Sequence, residues 1–275
     1  MKHARSTHQC SERRGCKLVG IGRSSMRYVP RDKWDEEELV SKIRDLAARH
    51  KRYGYRRITA VLRREGSRVN HKRIHRIWKA EGLQLPRRRP RRRRMGSTTG
   101  VVIHKAEHPN HVWSYDFVED RTENGGKLRM LVVMDEYTRE SLAIRVGRST
   151  SAGEVIDTLE WLFLTRGVPE HVRSDNGPEF VARAVQEWLE TNGCKTIYIK
   201  PGSPWENPYI ESFIGTLRDE CLNREVFTSI REAQTLVESW RCEYNGLRPH
   251  SSLAYLTPTE FATRATQEQV PILSL

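Results

Sequence analysis

Three acidic residues in this chain stand where their types and surroundings could do chemistry. Asp116 lies within Trp113-Ser-Tyr-Asp-Phe-Val118, a run that reads as a β-strand. An aspartate in mid-strand among aromatics is costly to bury unless it is paired or metal-bound. Asp175 lies in Arg173-Ser-Asp-Asn-Gly-Pro-Glu-Phe180. Asn176-Gly177 is a turn signal and Pro178 suits the first position of a helix, so Asp175 should end a strand. The carboxyl ends of strands are where α/β sheets place ligands. Glu211 lies in Ser203-Pro-Trp-Glu-Asn-Pro-Tyr-Ile-Glu-Ser-Phe213. Asn207 is expected to cap a helix with Pro208 in its first turn, which sets Glu211 one turn into a rigid element.

The elements that must hold these acids follow from the pattern. Val112–Glu119, Leu128–Met134 and Ser141–Val146 read as strands, and Asn124-Gly-Gly126 is a hairpin signal between the first two. Ala152–Arg166 carries Val155, Ile156, Leu159, Leu162 and Phe163 at helical spacing. A short strand over His171–Ser174, a helix over Pro178–Thr191 and a strand over Lys195–Ile199 come next. A helix from Pro208 to about Asn223 and another over Ile230–Tyr244 complete the series. Three hairpin-linked strands followed by alternating helices and strands make a mixed sheet flanked by helices, an α/β catalytic core over residues 110–265.

Charge separates this core from what precedes it. The net charge is +13, but residues 1–100 hold 30 Lys/Arg against 9 Asp/Glu, whereas residues 101–275 hold 18 against 26. Clustering of basic residues on helical segments points to a polyanion partner, and nucleic acid is favoured over a merely solubilising surface. Residues 10–85 read as all-α. Ser11 to Ser25 has the pattern helix, turn, helix start. Asp35–His50 and Tyr55–Glu65 are amphipathic, and Gly66 ends the second. Asn70 caps a third helix, which buries Ile74, Ile77 and Trp78 and turns Lys72, Arg73, Arg76 and Lys79 outward. Residues 86–109 form a basic linker. Its seven arginines around Pro90 cannot build a core, but they can lie along a phosphate backbone or serve as a solvated tether.

Composition narrows the class further. No stretch approaches the roughly 18 apolar residues of a membrane span, and no apolar region follows the basic N-terminus. The five cysteines are scattered and form no CxxC pair, so a reducing compartment is expected, with the cytoplasm as the default location.

A strand Asp, a strand-end Asp-Asn-Gly and a helical Glu, with 35 residues between Asp175 and Glu211, resemble the DDE signature of retroviral integrases and bacterial insertion-sequence transposases. Arg218, seven residues after Glu211, fits it too. The chain is most similar to the OrfB-type transposases of two-frame insertion sequences. Tyr53-Gly-Tyr-Arg-Arg57, Val69-Asn-His-Lys-Arg73, Val112-Trp-Ser-Tyr-Asp-Phe117, Leu217-Arg-Asp-Glu-Cys-Leu-Asn223 and Tyr244-Asn-Gly-Leu-Arg-Pro-His-Ser-Ser-Leu253 carry the likeness from about residue 11 to 262. It departs at Ile214, where the family often has Asn, and at Thr216, where it often has a basic residue. The resemblance implies a ribonuclease-H-like fold preceded by a helix-turn-helix-type region. It also implies two Mg²⁺ or Mn²⁺ ions on Asp116, Asp175 and Glu211, and metal-dependent DNA cleavage and strand transfer at element ends. Hard cations take oxygen ligands, which carboxylates supply. DNA contacts are then expected from Arg56, Arg57, Lys72, Arg73 and Arg76 in the helical region and from Asn176, Asn207 and Arg218 beside the acids. The implied partners are element-end and target DNA, further copies of the chain on DNA, and a segment from an upstream reading frame.

Other readings compete. A metal nuclease of the same fold would cleave without joining, and a DNA-binding regulator would not cleave. Asp135 and Glu136 follow a strand and are expected to cap a turn rather than bind metal. Asp219 and Glu220 are expected in ion pairs. His71 and His75 have the i, i+4 spacing of a zinc pair but lack partner cysteines, so exposed histidines on a DNA-facing helix are the favoured reading. Trp113, Trp161 and Trp188 are expected in the core, and Trp205 either there or stacked on an unpaired base.

Overall fold

A computed structural model describes residues 11–28, 36–86, 105–174, 179–198 and 207–269. Asp175, Asn176, Trp205 and the arginines of the linker lie outside the described residues. Contacts divide the chain into two units, Met1–Asp45 and Leu46–Leu275.

The first unit holds α1 (Glu12–Val19), α2 (Arg23–Met26) and most of α3 (Glu36–Arg49). Ser11 Oγ accepts the Arg14 N–H at 3.4 Å to start α1, and Gly20 ends it at φ 68°. Such a left-handed exit favours glycine.

The second unit opens with two further helices, α4 (Tyr55–Arg64) and α5 (His71–Ala80). They pack on each other, with Ile58, Leu62, Ile74, Ile77 and Trp78 all buried. The Asn70 side chain starts α5 by accepting the Lys72 N–H at 2.9 Å.

A five-stranded sheet follows in the order β3-β2-β1-β4-β5. Its strands are β1 (Val112–Arg121), β2 (Lys127–Asp135), β3 (Ser141–Gly147), β4 (His171–Ser174) and β5 (Lys195–Tyr198). β1, β2 and β3 pair antiparallel, while β4 lies parallel to β1 and to β5. The β1–β2 turn needs its glycines. Gly125 sits at φ 81°, and a Cβ on Gly126 would lie 2.8 Å from Thr122 Oγ1.

The sheet has two apolar faces because side chains alternate along each strand. One face carries Trp113, Tyr115, Leu131 and Val133 and is covered by α6 (Ala152–Arg166) and α7 (Glu179–Thr191). The other carries Val118, Met130, Val132 and Met134 and is covered by α8 (Pro208–Leu217) and α9 (Ile230–Gly246). A reciprocal capping box, Ser151 with Glu154, starts α6.

The structure departs from the sequence reading in four places. A π-helical turn, Arg218–Leu222, continues α8 where a plain helix was expected. A terminal helix α10 (Pro258–Gln269) was not anticipated. Trp161 is 57% exposed rather than in the core: Val155, Leu159 and Leu162 form the buried stripe of α6, and Trp161 falls outside it. Asn207 occupies the cap position of α8, but its side chain accepts no capping bond. Its ψ of 52° departs from the extended geometry that aims a cap side chain at the first free amides.

Candidate active site on the sheet and its helix

Asp116 sits in the middle of β1, opposite Val132 of β2, and is partly exposed. Its parity is that of Val118, so it belongs to the face that α8 covers. Its Oδ1 accepts the Phe117 N–H at 2.6 Å. β4 runs alongside in parallel, with Ser114 level with Arg173. β4 ends at Ser174, and Asp175 follows directly, outside the described residues.

α8 packs over this face through Ile210, Phe213 and Leu217. Just past its end, the Arg218 guanidinium donates to the Glu119 carbonyl of β1 at 3.4 Å. Glu211 therefore stands on the helix that covers the face bearing Asp116. Glu211 is exposed, and its carboxylate has no hydrogen-bond or ion-pair partner among the described residues. Asn207, one turn earlier, is buried, and its Oδ1 has no hydrogen-bond partner among them.

The same face carries a buried polar layer beside Asp116. Glu136 and Arg173 pair at 3.3 Å, both almost fully buried, and Ser114 Oγ donates to Glu136. Burial raises the Glu136 carboxyl above the usual range, while Ser114 and Arg173 act against that shift. Asp135 accepts the Tyr137 and Thr138 amides at 2.7 and 2.9 Å through Oδ1 and the Asn110 amide at 2.8 Å through Oδ2. Both acids thus serve the turn and the strand junction, as their sequence context predicts.

The expected ion pairs also form, and they join distant segments. Asp219 pairs with Arg52 at 2.5 Å. Glu220 holds Arg248 through two bonds of 2.7 Å and Arg57 at 3.5 Å. Arg57, anticipated as a DNA contact, is therefore half-buried against Glu220. Arg56, Lys72 and Arg76 are exposed, and Arg73 is partly so. His71 and His75 are exposed, and His75 lies against the Tyr55 ring at 4.5 Å.

One histidine cluster escaped the sequence reading. His108, His111 and Glu170 bring ligand-type atoms within 4.8 Å of one another. His111 Nδ1, however, accepts the Glu107 N–H at 3.0 Å, which places the proton of the neutral ring on Nε2, towards Glu170. A protonated nitrogen is no metal ligand, so the cluster reads as a hydrogen-bonded brace. It lies where β1 and β4 begin, the opposite end of β4 from Asp175.

Comparison with known proteins follows this geometry. Residues 106–204 and 192–258 match the integrase core domain, and residues 33–91 match an HTH-like domain. The chain is 42% identical over 269 residues to a 31.7 kDa uncharacterized protein of insertion element IS407 from Burkholderia multivorans, covering 96% of this chain and 95% of that one. It is 30% identical over 243 residues to the transposase for insertion sequence element IS904 from Lactococcus lactis, covering 82% and 94%. Its fold resembles the simian T-cell lymphotropic virus intasome in complex with a PP2A regulatory subunit, with a TM-score of 0.50 at 16% identity, covering 85% of this chain and 76% of that one. A ribonuclease-H-like mixed sheet, an HTH-like helical region and relatives matched along nearly their full length together place the chain in the insertion-sequence transposase family, built on an integrase core domain.

Proposed function

We propose that this chain cuts and joins DNA strands by metal-dependent phosphoryl transfer, with Asp116, Asp175 and Glu211 as the carboxylates of the site. The observation that supports this reading is that Asp116 belongs to the face of the sheet covered by the helix that carries Glu211, on the strand whose neighbour leads into Asp175. The donor set fits Mg²⁺ or Mn²⁺, because it is all oxygen and the Glu211 carboxylate has no competing described partner. Two such ions, when bound, would activate a water or 3′-hydroxyl and stabilise the leaving oxygen.

The chain's own residues supply the rest. Asp116 is fixed by its strand, and its Oδ1 orientation is set by the Phe117 amide. Glu211 stands on a helix packed into the core through Ile210, Phe213 and Leu217. The buried Arg173–Glu136 pair keeps β4 in register with β1 and so sets where Asp175 emerges. Arg218 lies two turns beyond Glu211, where a DNA phosphate can reach its guanidinium. The exposed Lys72 and Arg76 and the partly exposed Arg73 of α5 suit groove and backbone contacts. Full activity on element ends is expected to need more than one copy of the chain, and an upstream-frame segment would add a further DNA contact.

A strand-transfer assay tests the proposal, using labelled DNA that carries the ends of the encoding element and Mg²⁺ or Mn²⁺. Joined products support a transposase. Cleavage without joining supports a plain nuclease, and binding alone supports a regulator.

A further inference from the structure

A cavity of about 390 Å³ opens beside the Glu211 helix, wholly within the unit Leu46–Leu275. Three guanidinium groups line it: Arg57 of α4, Arg139 from the β2–β3 turn, and Arg248 beyond α9. No carboxylate does so among the described residues. Glu220, which pairs with both Arg57 and Arg248, is one carboxylate behind three cations. Glu136, whose charge also reaches Arg139, is already paired with Arg173. The pocket therefore keeps a positive excess beside the Glu211 helix. His250 at its wall registers that excess. Burial first, then Arg248 and Arg57, push its ring down to about 3, so it stays neutral and adds no charge at physiological pH.

Arg139 is the least satisfied of the three. Its guanidinium carbon lies 3.6 Å from the centre of the Tyr209 ring, which holds it against α8. Its Nη1 is buried without a hydrogen-bond partner among the described residues. Its backbone sits at φ 64°, a conformation uncommon for a residue with a side chain and one that clusters at ligand sites. Ser212 and Thr216 of α8 supply hydroxyls to the same cavity. Ser212 follows Glu211 directly and sits about 100° round the helix from it.

We propose that this pocket binds a phosphodiester of the DNA strand that passes Glu211, with Arg139 as its principal contact and Arg57 and Arg248 supporting the charge. A guanidinium fork matches phosphate oxygens, and a buried unpaired donor gains most from such a partner. Because α4 contributes Arg57, one phosphate would be gripped by the helical region and the catalytic core together. The inference rests on the strand-transfer reading above, and its test separates the two.

The full chain is titrated in EDTA, so that no cutting occurs, with pyrophosphate by calorimetry and with a fluorescein-labelled 30-base-pair duplex by anisotropy. Two variants are compared with the unchanged protein. Arg139→Asn removes the cation with a residue that tolerates positive φ, and Thr216→Glu leaves the arginines but adds a carboxylate at the pocket. Each should weaken both ligands about tenfold at 100 mM salt, and Arg139→Asn should reduce the slope of log Kd against log salt by about one. Should one variant fail to melt cooperatively, the other decides. Unchanged binding of both ligands overturns the pocket while leaving the transposase reading intact. Weaker pyrophosphate with unchanged DNA marks a site for a free phosphate compound and overturns the DNA assignment. If the unchanged protein binds no DNA, this inference and the functional reading fall together.

Discussion

Asp116 was visible as a candidate because an acid among aromatics in a strand breaks a local rule, whereas Glu211, an acid in the first turn of a helix, is locally ordinary and stood out through its place on that helix and its spacing from Asp175. Arg218 differs, since it is cationic and touches the Glu119 carbonyl. Replacing Arg218 with Ala should weaken DNA engagement and strand transfer about tenfold or more. Lys should restore part of the loss, because it keeps the charge but not the bidentate fork. Neither change should alter the rise in melting temperature that Mg²⁺ or Mn²⁺ is expected to give by relieving repulsion among the acids. Loss of that rise in Arg218→Ala would place the residue on the metal side. His250 makes a second residue-scale case. Its folded pKa of about 3 lies below the ordinary 6.5, so the unfolded chain takes up a proton first as pH falls. The stability held by the neutral ring is complete above about pH 6.5 and is lost as pH drops towards 3. Between pH 7 and 5 one such group costs about 2 kcal/mol. Denaturant unfolding of His250→Asn should show a correspondingly flatter pH dependence, and an unchanged slope would contradict the assignment.

Elements differ in how far local sequence reveals them. Periodicity placed α4, α5, α6 and all five strands, helped by Asn70 and Gly66, whose capping acts on their immediate neighbours. The π-helical turn after α8 carries no comparable local signal, whereas α10 has one that the sequence reading missed: Thr257 and Glu260 form a reciprocal capping box, with Pro258 at the first helical position. Trp161 was misplaced because α6 holds more apolar residues than its buried stripe can take. The pairs Arg52–Asp219 and Arg57–Glu220 join residues more than 160 positions apart, and no spacing rule relates such distances. The same is true of the basic pocket, whose three arginines come from three segments. Within the sheet, β4 depends on the buried Arg173–Glu136 pair. Arg173→Met leaves Glu136 buried without its cation and should destabilise the protein by about 3–5 kcal/mol in denaturant unfolding. A loss under 1 kcal/mol would show that Ser114 alone satisfies Glu136. On α5, Arg73→Ala and Arg76→Ala should each weaken binding to all duplexes and lower the salt slope by about one per lost phosphate contact. A change confined to one base sequence would instead mark base readout.

At the scale of the whole molecule, the basic excess of residues 1–100 suits holding DNA and the acidic excess beyond them suits gathering cations. The compact unit that begins at Leu46 crosses that division, since α4 is tied to the catalytic core through Glu220. The HTH-like helix α4 and the proposed acids Asp116 and Glu211 then share one compact unit, an arrangement that would suit holding a DNA end against bound metals through cleavage and joining. The central claim is that Asp116, Asp175 and Glu211 perform those steps, and strand transfer by the full chain and three single variants tests it most directly. With labelled element ends and Mn²⁺, the unchanged protein should yield joined products. Asp116→Asn, Asp175→Asn and Glu211→Gln should each lower joining by about a thousandfold or more while DNA affinity stays within about threefold. Near-normal joining by any one of the three variants would contradict the account by removing that residue from the site.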